Sequence, residues 1–256
     1  MSPEHRYRAV SLDLWSTCLR ERPGSDTHLQ ASRLRFLRER LKAPGGDPED
    51  GARLEQVLLA VDEELRSQGK KRIEIDPTTF IQRIASKLGS YPSSSFAELS
   101  RGYTRIGLTD HLFEVNPEAE SLIAELEARQ VPTIALTNTA RPEETWQEYF
   151  CTRTRLRFGH VVTSCEVGHA KPHGAIFTAA ARRLNLDPAD ILHVGDWWQV
   201  DGRGALNAGF GAVLYTGLWE TYPALGYPRP DLDEIARAGV PCIRRLDDPL
   251  LLGMLA

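Results

Sequence analysis

The alternation of short apolar runs with helical patterns in the second half of the chain constrains the fold most strongly. The runs VPTIALTN, GHVVTS, DILHVGD and GAVLYTG follow stretches with helical spacing at 117–130, 142–150, 173–185 and 201–208, respectively. Short β-branched runs between helices are typical of a parallel sheet that helices cover on both faces. The run at 8–14 has the same apolar character, and we expect it to join this sheet.

A different pattern lies between that first run and the second half of the chain, where amphipathic helices follow one another with short linkers. Asp26 is predicted to cap the first helix, and the Asp-Pro pairs at Asp47 and Asp76 are start signals for the next two helices. A fourth helix is predicted to run from Ser94. Four amphipathic helices with short connections indicate a small bundle, which must be an insertion because the strand at 8–14 belongs to the later sheet.

These patterns predict an α/β fold with two domains. Residues 1–18 and 113–256 are expected to form a Rossmann-like parallel-sheet core, and residues 19–112 an inserted helical bundle. The closing stretch, DDPLLLGMLA, is predicted to be a terminal helix docked on the sheet.

The charge and cysteine content indicate the class of partner and the compartment. With 31 Lys+Arg against 35 Asp+Glu, the net charge of -4 gives no reason to expect nucleic acid or an anionic membrane as a partner. The four cysteines, at positions 18, 151, 165 and 242, form no close Cys/His cluster and are expected to be reduced thiols. The first apolar run is too short for a signal peptide, so we expect a cytoplasmic protein. The oligomeric state stays open.

Polar side chains collect where the predicted strands end, which is where open α/β sheets bind ligands. They bring carboxylates, one ammonium group and one hydroxyl to a common edge, which is the chemistry of a Mg²⁺-assisted phosphoryl site. A hard dication takes carboxylate oxygens, a lysine neutralises phosphate charge, and a hydroxyl with helix amides holds the remaining oxygens. The residues are Asp13, Thr137, Asn138, Lys171, Asp196 and Asp201.

The same residues carry a family resemblance. The order DLWSTCL, ALTN, AKPHGAIF and HVGDWWQVDGRGALNAGF resembles the four motifs of the haloacid dehalogenase superfamily over about residues 8–20 and 113–220. The last motif is the most specific, with Gly-Asp, an acid five residues later, and then GAxxAG. The helical insert is similar to the four-helix cap of that superfamily.

The resemblance implies a role for each residue of these motifs. Asp13 corresponds to the nucleophile that forms an aspartyl intermediate, and the backbone carbonyl of Trp15 corresponds to a Mg²⁺ ligand. Asp196 would also ligate Mg²⁺, whereas Asp201 would either join the metal shell, orient the lysine or only cap a helix.

The remaining motif positions would contact the substrate. Thr137 and the amide of Asn138 would hold the transferring group, and Lys171 would offset charge between that group and the nucleophile. Arg20, close to the first motif, is a candidate ligand for a small anionic substrate. Thr17 either contributes to the site or only stabilises the turn.

Trp15 is a departure from the phosphatases of this superfamily, which have a second aspartate there. That aspartate protonates the leaving alkoxide and later activates water, and an indole can do neither. General acid–base catalysis contributes about 10²–10⁴-fold, so its loss slows a reaction without abolishing it. Glu21 or His28 could supply the missing acid. The prediction is a Mg²⁺-dependent, phosphatase-type hydrolase of a small phosphorylated molecule, with reduced or narrow activity.

Other reactions stay open, since dehalogenases and phosphonate-cleaving members also lack the second aspartate. A 2-haloacid dehalogenase needs no Mg²⁺, whereas the sequence GDWWQVD keeps both acids. A phosphonate-cleaving enzyme requires a cap lysine that forms a Schiff base. The cap lysines Lys42, Lys70, Lys71 and Lys87 lie in hydrophilic surroundings. A weakly catalytic binding protein, with Trp15, Trp197 and Trp198 as an aromatic floor for a ligand, is a further alternative.

Overall fold

A parallel sheet organises the chain, which a computed structural model describes over residues 6–48, 50–69, 75–108, 112–220 and 230–255. The first elements in chain order are β1 (Ala9–Leu12), β2 (Leu19–Glu21), α1 (Ser25–Arg40), β3 (Leu41–Lys42), α2 (Gly51–Gly69), α3 (Pro77–Leu88), β4 (Tyr91–Pro92), α4 (Phe96–Arg105) and β5 (Phe113–Val115). They are followed by α5 (Pro117–Ala128), β6 (Thr133–Thr137), α6 (Glu143–Arg153), β7 (His160–Thr163), α7 (Ser164–Val167), α8 (Gly174–Leu184), β8 (Ile191–Gly195), α9 (Arg203–Asn207), β9 (Gly211–Tyr215), α10 (Leu232–Arg237), β10 (Cys242–Ile243) and α11 (Pro249–Gly253).

The main sheet has the strand order β10-β9-β8-β1-β6-β7, and all its strand pairs are parallel. Strand β1 lies at the centre, with Val10 opposite Thr133 of β6 and Leu192 of β8. The fold is therefore the predicted α/β, Rossmann-like sheet, and the run at 8–14 joins it as expected. The short edge strand β10 and helix α10 were not predicted.

Helices cover both faces of this sheet because its strands are apolar on both sides. Val10 and Leu12 of β1 belong to one buried cluster, together with residues of α5 and α6. Ala9 lies in a second cluster with Phe177 of α8. Burial on both faces is typical of parallel sheets and explains why these strands form continuous apolar runs.

Helices α1 to α4 form the predicted helical insert, and they share a hydrophobic cluster of their own that includes Leu37, Leu54, Ile84 and Leu99. The Asp76 side chain caps α3 by accepting a hydrogen bond from the Thr79 amide at 3.0 Å, as predicted.

Two of the predicted helix starts are wrong. Helix α1 begins at Ser25 with Gly24 as its N-cap, in the left-handed conformation that glycine tolerates, so position 26 lies inside the helix and not at the N-cap. Helix α2 begins at Gly51 and not at the Asp47-Pro48 pair. The Asp50 carboxylate accepts a hydrogen bond from the Arg53 amide at 2.8 Å and so takes the capping role.

Strands β2 and β5 form a small antiparallel ribbon at the two crossings between the sheet and the insert, with Arg20 opposite Glu114. These three-residue strands were too short to predict from periodicity. The division at residues 18/19 and 112/113 stays a prediction.

At the other end of the chain, the amide of Tyr7 donates a hydrogen bond to the Met254 carbonyl at 2.9 Å. Helix α11 thus docks beside the start of β1, with Leu251 buried. Within the described ranges, no helix is both long and apolar enough to cross a membrane.

Candidate active site

The central strands bring the predicted polar residues to one edge of the sheet. Asp13 directly follows β1, Thr137 ends β6, and Asp196 directly follows β8. Because β8, β1 and β6 are adjacent and parallel, the loops after them meet at their carboxyl ends. All three side chains are buried.

Lys171 joins two of the carboxylates. Its Nζ atom lies 2.6 Å from Oδ1 of Asp13 and 2.6 Å from Oδ1 of Asp201, and the lysine is only 1% exposed. The Asn138 side chain fixes the lysine backbone, since its Oδ1 accepts from the Lys171 amide at 2.7 Å and its Nδ2 donates to the Lys171 carbonyl at 3.1 Å. The amide side chain of Asn138 is therefore engaged in positioning the lysine.

The charges in this cluster act strongly on one another because water is excluded. Burial, together with the charge of Asp201, raises the pKa of Asp13 to about 7 despite the attraction of Lys171. Burial alone would lower the pKa of Lys171, but the two carboxylates outweigh it and raise that pKa. Burial opposes ionisation of Asp201 as well, yet Lys171 and His193 hold the pKa of its carboxyl below the ordinary value.

Asp13, Asp196 and Asp201 form a cluster that could hold a cation. Each offers one carboxylate oxygen, and these oxygens lie within 4.8 Å of one another. Mg²⁺ binds oxygen ligands at about 2.1 Å, so opposite ligands of its octahedral shell are about 4.2 Å apart. Hard, anionic oxygens at this spacing fit Mg²⁺ after a small contraction, and a dication would relieve their mutual repulsion.

Both carboxylate oxygens of Asp201 already accept hydrogen bonds. Oδ1 is 3.2 Å from Nε2 of His193, in addition to its contact with Lys171, and Oδ2 accepts from the Trp197 amide at 3.0 Å. The predicted helix at 201–208 starts here as a π-helical turn, Trp198–Gly202, which continues into α9. This turn aims the Asp201 side chain at the lysine.

Sequence reasoning missed His193 and Ser11. They are opposite each other in the pairing of β8 with β1, and the Ser11 hydroxyl lies 2.9 Å from Nδ1 of the His193 ring. Burial lowers the pKa of this histidine. A signal was present, since both are polar residues inside strands that are otherwise apolar.

Two threonines complete the cluster. The Thr137 hydroxyl is buried and has no hydrogen-bond partner among the described residues, which leaves it able to bind a ligand. Thr17 donates a long hydrogen bond, 3.4 Å, to Oδ2 of Asp13. Its carbonyl accepts from Nδ2 of Asn116 at 3.0 Å, so it also stabilises the turn.

Trp15 packs in an aromatic cluster with residues of β5 and α6. Its ring centroid lies 5.3 Å from that of Phe113 and 5.5 Å from that of Trp146, both edge-on. Trp198 belongs to the buried cluster on the other face of the sheet, whereas Trp15 packs against the first. The hypothesis of an aromatic floor formed by Trp15, Trp197 and Trp198 is therefore wrong.

Several other candidates are not brought to this cluster. Arg20 is exposed on β2, where its charge acts on Tyr215, and its role as a substrate ligand stays a prediction. Glu21 and His28 are also exposed.

The cap lysines that the structure describes lie at the surface. Lys42 donates to the Glu39 carbonyl at 3.3 Å, and Lys87 pairs with Glu64 at 2.7 Å, both in exposed positions. Neither is a buried amine of the kind that forms a Schiff base. Lys70 and Lys71 lie outside the described residues.

Known proteins share this fold and parts of this sequence. The chain is 32% identical over 98 residues to glyceraldehyde 3-phosphate phosphatase of Methanothermobacter thermautotrophicus, covering 38% of this chain and 43% of that protein. It is 34% identical over 101 residues to phosphoserine phosphatase of Thermus thermophilus, covering 40% of each. The chain thus spans less than half the length of these curated relatives.

A solved structure extends the likeness to nearly the whole fold. The 2-haloacid dehalogenase from Pseudomonas syringae pv. Tomato DC3000 superposes with a TM-score of 0.61 at 21% identity, covering 96% of this chain and 98% of that one. The family model of haloacid dehalogenase-like hydrolases matches residues 7–209, which include every motif residue described above. Because this match covers well over half of the chain, the protein belongs to the haloacid dehalogenase-like hydrolases.

Proposed function

We propose that this hydrolase is a Mg²⁺-dependent phosphatase that acts on a small phosphorylated molecule through an aspartyl intermediate at Asp13. The observation that carries the proposal is the bridge from Lys171 Nζ to Asp13 and Asp201, 2.6 Å each, beside the carboxylate of Asp196. The two curated relatives described above are phosphatases by name.

The proposed nucleophile is the Asp13 carboxylate, which attacks phosphorus and displaces the alkoxide of the ester. Lys171 neutralises charge on the transferring group, since an ammonium between two carboxylates keeps its proton. The unpartnered hydroxyl of Thr137 donates to an oxygen of that group. Asn138 acts through Lys171, whose backbone it holds.

The proposed metal ligands are the side chains of Asp13 and Asp196 with the Trp15 carbonyl. A bound Mg²⁺ would supply positive charge where the phosphoryl oxygens gather negative charge. Asp201 is better suited to orient Lys171 than to bind the ion directly, because both of its oxygens accept hydrogen bonds.

The aromatic residue at position 15 favours substrates with good leaving groups. An indole cannot protonate an alkoxide, so esters of acidic alcohols and acyl phosphates should react faster than alkyl esters. This is why we propose slow or narrow activity.

Carbon–halogen cleavage is a second candidate, and the aromatic residue at position 15 favours it as well. Displacement of a halide needs no proton on the leaving group, so Trp15 would be no handicap. Against it, the proposed metal ligand Asp196 would have no metal ion to bind in a metal-free reaction, and clustered carboxylates repel one another.

A paired assay tests the two candidates. Purified protein is incubated with p-nitrophenyl phosphate, acetyl phosphate and 2-chloropropionate, each with Mg²⁺ and with EDTA, and phosphate and chloride release are measured. We expect phosphate release that requires Mg²⁺. Chloride release that persists in EDTA, without phosphate release, would replace the phosphatase with a dehalogenase.

A further inference from the structure

Two arginines from different parts of the chain meet at the last turn of α4. The Arg33 guanidinium of α1 lies 5.1 Å from the ring centroid of Tyr103. Arg141, four residues after Thr137 in the loop that follows β6, donates from Nε to the Thr104 carbonyl at 3.1 Å and from Nη2 to the Ile106 carbonyl at 3.2 Å. One cation thus comes from the insert and the other from the sheet.

The side of α1 that carries Arg33 is the side that faces Arg141. Leu29 and Arg33 are one helical turn apart and so share a face. A Cβ at Gly107 would meet Leu29 Cδ1 at 2.8 Å and Arg141 Nη2 at 3.9 Å. The face of α1 that carries Arg33 therefore turns toward Arg141.

This pair of arginines lies next to the candidate active site. The Arg141 guanidinium is 5.5 Å from the Phe113 ring and 5.7 Å from the Trp146 ring. Trp15 packs edge-on against the same two rings. The rings of Phe113 and Trp146 therefore form a single layer between Arg141 and Trp15, which follows the proposed nucleophile by two positions.

Two buried donors in this region have no acceptor among the described residues. Nε of Arg33 and Nε1 of Trp146 are buried without a hydrogen-bond partner. Arg141 is 5% exposed, and within the described part of the chain its side chain donates to the carbonyls of Thr104 and Ile106 at the end of α4. A buried donor without a partner destabilises the fold because it has lost its hydrogen bonds to water, so these two donors need an explanation.

Among the described residues, no ion pair involves the guanidinium of Arg33 or Arg141. Glu21 acts on Arg141 and Asp62 on Tyr103 electrostatically. Burial, with the like charge of Arg33, lowers the pKa of Arg141 to about 9, so the guanidinium is still charged at neutral pH. Two neighbouring cations, one of them with an unpartnered buried Nε, suit an oxyanion.

We propose that Arg33 and Arg141 form a subsite for a second anionic group on the substrate. The inference rests on the proposed phosphatase function and narrows its substrate class. The preferred substrate is a phosphate monoester whose leaving group bears a carboxylate or a second phosphate. The phosphoryl group contacts Asp13 and Lys171, and the second oxyanion contacts the two guanidinium groups.

Binding of non-hydrolysable phosphonates tests the subsite directly. The full-length protein with Mg²⁺ is titrated calorimetrically with ethylphosphonate, 3-phosphonopropionate and ethane-1,2-diphosphonate, which share a phosphonate and differ in the distal group. We expect one of the two doubly anionic probes to bind at least about tenfold more tightly than ethylphosphonate, because it gains charge-assisted hydrogen bonds. The probe that binds more tightly identifies the distal group of the substrate as a carboxylate or a phosphate.

Substitutions test whether Arg33 and Arg141 produce this gain in affinity. Arg33→Met and Arg141→Lys should remove most of the tenfold preference and leave ethylphosphonate affinity within about twofold. Arg35→Met is the matched control, because Arg35 is an exposed arginine of the same helix. Arg141→Lys keeps a cation where a full truncation of the buried side chain could prevent folding.

The outcomes separate this inference from the phosphatase proposal. If ethylphosphonate binds and neither distal anion adds affinity, or if the variants weaken all probes equally, the subsite is refuted and the phosphatase proposal stands. If no phosphonate binds and no phosphate ester is hydrolysed, the phosphoryl site itself is refuted, and the subsite with it.

Discussion

The Nζ atom of Lys171 lies 2.6 Å from Oδ1 of Asp13, although 158 positions separate the two residues in the chain. Both side chains are buried, and the same ammonium lies 2.6 Å from Asp201. The buried positive charge is therefore held between two negative charges, and removal of the ammonium leaves both carboxylates uncompensated. This relationship makes the site testable through stability as well as through activity.

Lys171→Met should abolish hydrolysis and also destabilise the metal-free protein. Loss of one partner of a buried ion pair costs about 3–5 kcal/mol, because Asp13 and Asp201 are left as adjacent buried carboxylates. Urea unfolding in EDTA measures this cost. Lys87→Met is the control, since Lys87 pairs with Glu64 at the surface and such pairs contribute at most about 1 kcal/mol. Equal effects of the two substitutions would contradict the buried bridge.

Asp13→Asn should reduce phosphate release by at least about 10³-fold, because the amide is not a nucleophile and the loss of a catalytic nucleophile is rarely compensated. The variant should remain folded, as asparagine is isosteric and still accepts a hydrogen bond from Lys171. Steady-state phosphate release with Mg²⁺ measures the effect, and Asp233→Asn on the exposed face of α10 is the control. Retained activity in the Asp13 variant would exclude an aspartyl intermediate at this position.

The strand-end residues were predictable because parallel strands bring their carboxyl ends together whatever the loop lengths. Asp13, Thr137 and Asp196 needed only the strand pattern. The partners of Lys171 were implied by the family resemblance, but the interaction of its backbone with Asn138 depends on loop geometry that spacing does not encode.

Residues whose roles depend on contacts between the insert and the sheet were not predictable. Arg141 follows a recognised motif, yet only the packing of α4 against the loop after β6 gives it two carbonyl acceptors. Trp15 was predicted as a departure from the phosphatase pattern. Its edge-on contacts with Phe113 and Trp146 arise from residues far apart in the sequence.

Trp15→Asp should change the dependence of rate on the leaving group. A carboxyl group at position 15 could protonate alkoxides, so turnover of alkyl phosphates should rise by about 10-fold or more relative to p-nitrophenyl phosphate. The substitution removes contacts with two rings and should cost about 1–3 kcal/mol of stability. Trp15→Asn is the control, because asparagine has the size of aspartate but no carboxyl group. An equal change for both ester classes would show that position 15 shapes the pocket and leaves proton transfer to another group.

The contribution of Asp13 to the stability of the metal-free protein should fall as pH rises from about 4 to 7. The pKa of Asp13 is raised from 3.8 to about 7 in the folded state, so over this window the folded protein keeps a proton that the unfolded chain has released. The slope of the free energy of unfolding approaches about 1.4 kcal/mol per pH unit for one such group. Urea unfolding in EDTA at several pH values measures it.

Two other buried groups, His193 and Asp201, also make the stability depend on pH, but with the opposite sign. Comparison of the native protein with Asp13→Asn separates their contributions from that of Asp13. The pKa of His193 is lowered below 6.5, so its contribution weakens the fold as pH falls through its range. The pKa of Asp201 is lowered below 3.8, so its contribution is lost only at more acidic pH. The difference between the native and Asp13→Asn curves should therefore isolate the slope of Asp13.

Saturating Mg²⁺ should flatten this difference between the two stability curves, because the ion competes with the proton for the carboxylate of Asp13. A difference curve that does not respond to Mg²⁺ would contradict a metal ligand role for Asp13.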